Sequence, residues 1–185
     1  MTNQATSQKY TTAAIAIHWV VLFLVVAAYA CILLRENFPR GSDIREALKA
    51  WHYSLGLSIL GITALRLALR TFVWKTPTIS PPLPPWLSIP AAAAHISLYL
   101  LLLAMPLAGW LILSAEAEPI RFWGLQLPSL IGADEKLAEQ IQEIHETGGT
   151  IGYFLIGLHA AAALFHHFAV KDDTLKRMLP GVRRG

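Results

Sequence analysis

Four long apolar runs constrain the fold of this 185-residue chain more than any other feature. A helix that crosses the hydrocarbon core of a bilayer needs about 20 mostly apolar residues. The runs cover about 13–34, 48–69, 91–114 and 144–170. His18 is the only Asp, Glu, Lys, Arg or His in the first, and His95 the only one in the third. The second carries Lys49, His52 and Arg66 near its ends, and the fourth carries His145, Glu146, His159, His166 and His167. Charged residues make up 15% of the chain, against about 25% in a water-soluble domain. No apolar segment is left over for a water-soluble core. In lipid a lone segment must satisfy its own backbone hydrogen bonds, which selects helix. Residues 1–185 therefore read as one domain, all-α, an integral membrane four-helix bundle in contact with membrane lipid. The first run is longer than the roughly 7–15 residues of a secretory h-region, so it reads as a retained span.

The connections suit this reading. Residues 37–45 are polar and contain Pro39 and Gly41. Residues 76–86 contain five prolines, which favour extended polyproline II backbone over helix. The longest connection, 116–143, carries Phe122-Trp123-Gly124-Leu125, a segment suited to the headgroup level. Its end, 133–143, reads as a short surface helix leading into the fourth span. Pro106 is expected to kink the third span. Cys31, the single cysteine, excludes an internal disulfide and any iron–sulfur or Cys-rich zinc site built from this chain alone. It reads as a small buried packing residue.

Charge sets the expected orientation. An even number of spans puts both termini on one side, together with the connection between the second and third spans. That side holds nine of the 15 Lys and Arg but only two of the 12 Asp and Glu. The positive-inside rule then makes both termini cytoplasmic. The net charge of +3 sums a basic inner side and an acidic outer one, so no nucleic acid partner is expected. The outer cluster of Arg40, Arg45 and Lys49 is the exception to that acidic balance.

All seven histidines fall in or at the edges of the apolar runs. Polar residues inside spans are costly and usually face the bundle interior. His145 and His159 are 14 residues apart, which on a helix is about 21 Å of depth and a net turn of only about 40°. They share one face at two depths. The first span runs outward with His18 near its inner end. The second runs inward with His52 near its outer end. His52 can therefore meet His145, and His18 can meet His159. Zinc would need its four ligands in one small sphere, which the axial separation forbids. Two trans imidazoles on a flat apolar macrocycle suit haem. Structural histidines and metal transport stay open as alternatives at this point. So does a His18–His166 pairing, which would put the two ligands on the fourth span about 31 Å apart. A free His166 could instead hydrogen-bond a quinone carbonyl or relay a proton. His95 reads either as a group near that inner site or as an interfacial histidine bonded to water. The glycines near these histidines (Gly56, Gly61, Gly148, Gly149, Gly152 and Gly157) read either as room for a macrocycle or as close helix packing.

At these residues the chain resembles the bacterial cytochrome b561 family. The matching pieces are Ile17-His18-Trp19, Trp51-His52 with Gly56-Leu57-Ser58-Ile59-Leu60, and Ile144-His145-Glu146-Thr147. To these are added the run from Gly152 to Ala162, His166-His167, and a tail from Lys171 to Pro180. The resemblance covers nearly the whole chain and is strongest toward the small members that act as superoxide:ubiquinone oxidoreductases. It implies two haems b, one on His18 and His159 and one on His52 and His145. It implies superoxide as electron donor at the outer, periplasmic face and ubiquinone as acceptor, with His166 a quinone contact. It places the chain in the bacterial inner membrane as a multi-pass oxidoreductase. The alternative is a cytochrome b anchor subunit that relays electrons between a membrane redox partner, a dehydrogenase or hydrogenase, and the quinone pool.

Overall fold

The computed structural model of the chain describes residues 10–74 and 84–181. Most of the proline-rich connection, together with Lys9, Lys75, Arg183 and Arg184, lies outside the described residues. Among the described residues the architecture is all-helical apart from one small hairpin. Its helices are α1 (Thr12–Leu34), α2 (Asp43–Phe72), α3 (Pro85–Ala115) and α4 (Glu135–Phe165). All four are long and apolar enough to span a membrane.

Local chemistry sets where each helix begins. The Thr11 hydroxyl accepts from the Ala14 amide, the Ser42 hydroxyl from Arg45, and the Asp134 carboxylate from Leu137. Each cap satisfies an amide that the helix cannot, a gain of about 1 kcal/mol. Proline at the start of α3 gives up only an N–H that has no partner there. Pro90 and Pro106 both lie inside α3. The Asp134 cap also corrects the expected surface helix before the fourth span: residues 135–143 are the first turns of α4 itself, without a break.

Neighbours in sequence pack side by side: α1 on α2, α2 on α3, α3 on α4. The core lies between α1 and α2, where Val21, Val25 and Ala28 meet Leu55 and Ile59. Cys31 packs against this cluster as a small apolar group. Few apolar side chains are buried. Phe23, Phe72, Leu100 and Phe154 are all more than 60% exposed. On helices of this length such an outer surface is suited to lipid.

The connection between α3 and α4 contains the departure from an all-helical chain. Ile120–Phe122 (β1) and Leu125–Leu127 (β2) pair antiparallel, with Phe122 opposite Leu125. The two-residue turn is Trp123-Gly124, both at positive φ (47° and 87°), as a type I′ turn requires. Gly124 meets this at no steric cost, whereas Trp123 does not. Ser54 donates to the Arg121 carbonyl and the Trp123 indole donates to Ser58, so the hairpin lies across the outer half of α2. Trp51 stacks edge-on against Trp123 at 5.2 Å.

Two α4 glycines admit neighbouring side chains. A Cβ on Gly148 would meet the Met105 sulfur, and one on Gly152 would meet the Tyr29 hydroxyl and Leu101. Gly61 faces open space. Alanine gains the same helix propensity at both sites, so the comparison isolates the steric clash. Gly152→Ala is expected to be less stable than Gly61→Ala by about 1–3 kcal/mol, read as a lower midpoint of thermal unfolding in detergent.

Candidate functional site

The helices that carry the histidines are not all equally close. Among the described residues, α4 packs its backbone closely on α3, and it reaches α1 and α2 mainly through side chains. Facing imidazoles fill those wider gaps. His52 on α2 and His145 on α4 have ring centroids 6.2 Å apart, and His18 on α1 and His159 on α4 are 6.3 Å apart. An imidazole nitrogen sits about 1.1 Å from its ring centre, given ring bonds of about 1.33 Å. Metal–imidazole bonds run about 2.0–2.1 Å. Two rings trans on one metal therefore hold their centres roughly 6.3–6.5 Å apart. The two pairs lie at or just below that separation, with their rings nearly perpendicular, a spacing that edge-to-face ring contacts also adopt.

The outer pair is also set up by its surroundings. The Nδ1–H of His52 donates to the Ala28 carbonyl at 2.9 Å. That fixes the tautomer and leaves the Nε2 lone pair for a metal, as carbonyl-bound histidine ligands do. His145 lies against the Met105 backbone of α3. Around the two rings opens an apolar cleft lined by Tyr29, Tyr53, Gly56, Met105, Gly109 and Gly149 among others. A Cβ on Gly109 would lie 3.5 Å from the His145 ring. Donor set, tautomer and apolar walls fit a flat macrocycle between His52 and His145.

The inner pair fits with one condition. Arg66 donates from Nη1 to Nδ1 of His18 at 3.0 Å. Guanidinium has no acceptor, so this contact places the proton of a neutral His18 on Nε2. An iron held through Nε2 requires Arg66 to leave Nδ1. His95 is also close, its ring 5.4 Å from that of His159, with its Nδ1–H bonded to the Ala91 carbonyl of its own helix. It is exposed, and its separation is shorter than two ligands of one iron would hold.

His166 stands apart from both pairs. It opens the π-helical turn His166–Val170 that ends α4, and its Nδ1–H donates to the Asp172 carboxylate at 2.5 Å. The ring that faces His18 from α4 is His159. Burial raises the Asp172 carboxyl, but hydrogen bonds from His166 and the Thr174 amide outweigh it and hold it below the ordinary carboxylate range. Nδ1 of His167 is buried without a hydrogen-bond partner among the described residues.

On the outer side, Arg45 binds the Arg35 and Phe38 carbonyls and Glu36, closing the turn between α1 and α2. It is thereby committed to structure. Arg40 is exposed, and Lys49 lies over the Tyr53 ring at the edge of the outer cleft. Gly56 and Gly149 line the cleft, whereas Gly148 and Gly152 serve helix packing. Sequence reasoning missed Arg66, Gly109 and Asp172 as parts of these sites. Arg66 and Asp172 carried a signal only as charges near span ends, and Gly109 carried none.

A family model described as prokaryotic cytochrome b561 matches residues 9–181. The chain belongs to that family. It is therefore a multi-pass bacterial membrane cytochrome of the electron-transfer class, in a family that binds haem b. Among curated relatives, cytochrome b561 homolog 1 of Escherichia coli (strain K12) is 36% identical over 93% of this chain and 97% of its own length. The probable superoxide oxidase CybB of Yersinia pestis is 37% identical over 95% of this chain and 98% of its own. Cytochrome b561 homolog 2 of Escherichia coli (strain K12) is 29% identical over 94% and 93%.

With one iron held by each imidazole pair, His52→Ala or His145→Ala is expected to abolish one haem absorption and spare the other. His18→Ala or His159→Ala should do the reverse. Haem content by pyridine haemochrome, with redox titration of the absorption near 560 nm (a rough position for b-type haem), checks this. A variant of any of the four that keeps full haem content contradicts the pairing.

Proposed function

We propose that this cytochrome takes electrons from superoxide at its outer face and reduces ubiquinone at the side where its termini lie. It would do so in the bacterial inner membrane, with both termini cytoplasmic and residues 1–185 acting as one dihaem domain. One observation carries the reading: imidazole pairs with metal-clamping separation stand at two depths of one bundle. His18 and His159 would hold the inner haem and His52 and His145 the outer one. The haems, when bound, supply the one-electron chemistry. The protein orients them and controls what reaches them.

Each end of the bundle offers different side chains. Lys49 at the edge of the outer cleft, and the exposed Arg40 in the turn between α1 and α2, are cations suited to attract a small anion, a screened effect of long-range charge. The Trp51–Trp123 contact and the hairpin cover the flank of α2 beside His52. At the opposite end, His166 is a polar ring beside the lipid-facing Phe165 and Phe168, suited to a substrate that arrives from the bilayer. A superoxide donor is supported by the likeness to the probable superoxide oxidase CybB. A quinone acceptor is supported by the two-electron, two-proton demand that a polar inner site can meet.

Mixing the purified oxidised protein with superoxide in a stopped-flow instrument tests this reading. Rapid haem reduction is expected, followed by reoxidation only when ubiquinone is present. Haem that superoxide leaves oxidised, but that a membrane dehydrogenase or hydrogenase fraction reduces, would instead favour the anchor-subunit reading.

A further inference from the structure

The end of α4 is built around a contact that haem ligation does not use. After the π-helical turn, Lys171 takes a left-handed conformation (φ 61°) and the chain reverses. The Asp172 amide then donates to the His166 carbonyl, and the Thr174 amide donates to Asp172 Oδ1. The reversed tail is tied down twice. Arg177 pairs with Asp173 at 2.8 Å, and the Trp19 indole of α1 donates to the Met178 carbonyl at 2.7 Å. The result fixes Asp172 Oδ2 on Nδ1 of His166, with both side chains largely buried (5% and 12% exposed). A left-handed residue other than glycine and a π turn both tend to mark functional sites.

We propose that Asp172 is a positioning residue that sets His166 as the proton donor to a quinone-class substrate. This rests on the proposed quinone reduction and deepens it. With Nδ1–H held by the carboxylate, the proton available for transfer is on Nε2, and the carboxylate stabilises the charged ring that carries it. Reducing one quinone to quinol takes two electrons, supplied by the cytochrome, and two protons. In each transfer the His166 Nε2–H bond breaks and an O–H bond forms on a quinone oxygen. The ring is left neutral, with Nδ1–H still on Asp172. Water on the terminal side reprotonates Nε2 before the second transfer. Phe165 and Phe168 are 56% and 69% exposed, and they give a lipid-soluble ring an apolar approach to this end of α4.

The test uses the full-length haem-loaded protein, reduced with dithionite and mixed with short-tailed ubiquinone, so that superoxide takes no part. Asp172→Asn is expected to lower kcat by about 10²-fold, the lower end of what proton transfer from a positioned group contributes. KM, haem content and haem spectrum should stay unchanged. A solvent deuterium isotope effect should appear or grow, and Asp172→Glu should recover much of the rate. Because Asp172 acts through His166, adding Asp172→Asn to His166→Gln should slow the reaction no further than His166→Gln alone. Wild-type kcat in Asp172→Asn, or rates in the double variant that multiply the two single losses, would overturn the proposal while leaving quinone reduction intact. A wild-type protein that ubiquinone does not reoxidise would remove quinone reduction itself, and this inference with it. If Asp172→Asn lost haem, Asp172→Ser, alone and combined with His166→Gln, would decide by the same criterion.

Discussion

Burying an imidazole among lipid-facing helices is costly unless its nitrogens are satisfied, and the bundle answers that cost twice with pairs of rings turned toward each other. Each pair draws one member from α4, so α4 is the post on which both levels hang. The requirement propagates outward. The gaps between α4 and its partners α1 and α2 must be wide enough for what the rings hold. The glycines and small residues that shape the outer cleft follow from that width. Among the described residues, close backbone packing joins α1 with α2, α2 with α3, and α3 with α4, while the Tyr29 side chain bridges α1 to α4.

The two levels differ in how far the protein alone completes them. At the outer level a backbone carbonyl already selects the tautomer of His52 that a metal needs. At the inner level a guanidinium selects the opposite tautomer of His18, and an exposed third imidazole, His95, stands beside His159. The His18 end therefore gathers a guanidinium and three imidazoles. The outer end presents a drier cleft flanked by an indole pair and a lysine. This asymmetry accords with the proposal of unlike substrates at the two faces.

Much of this was legible in the sequence because a membrane span leaves few choices. Length and apolarity mark a helix, and helical periodicity then fixes which histidines share a face and a depth. His18, His52, His145 and His159 met as expected because each depends on rise per residue and little else. Features that depend on side-chain direction or on loop geometry were not legible. The hairpin at 120–127 has strands of three residues, too short for alternation to show, and its turn uses Trp123 where Asn or Gly is usual. The start of α4 was hidden because its first turns are polar and read as a separate surface helix. Asp172 could be seen only as one of a pair of tail acids, since its contact with His166 depends on the left-handed turn at Lys171.

An electron path through the proposed dihaem bundle requires each facing pair to clamp one iron. Metal analysis of the purified wild-type protein, combined with low-temperature electron paramagnetic resonance of its oxidised form, addresses this directly. Two irons per chain, each low-spin with two axial imidazoles, is the expected result. Fewer than two irons, or a high-spin signal from an iron with an open axial position, would contradict it.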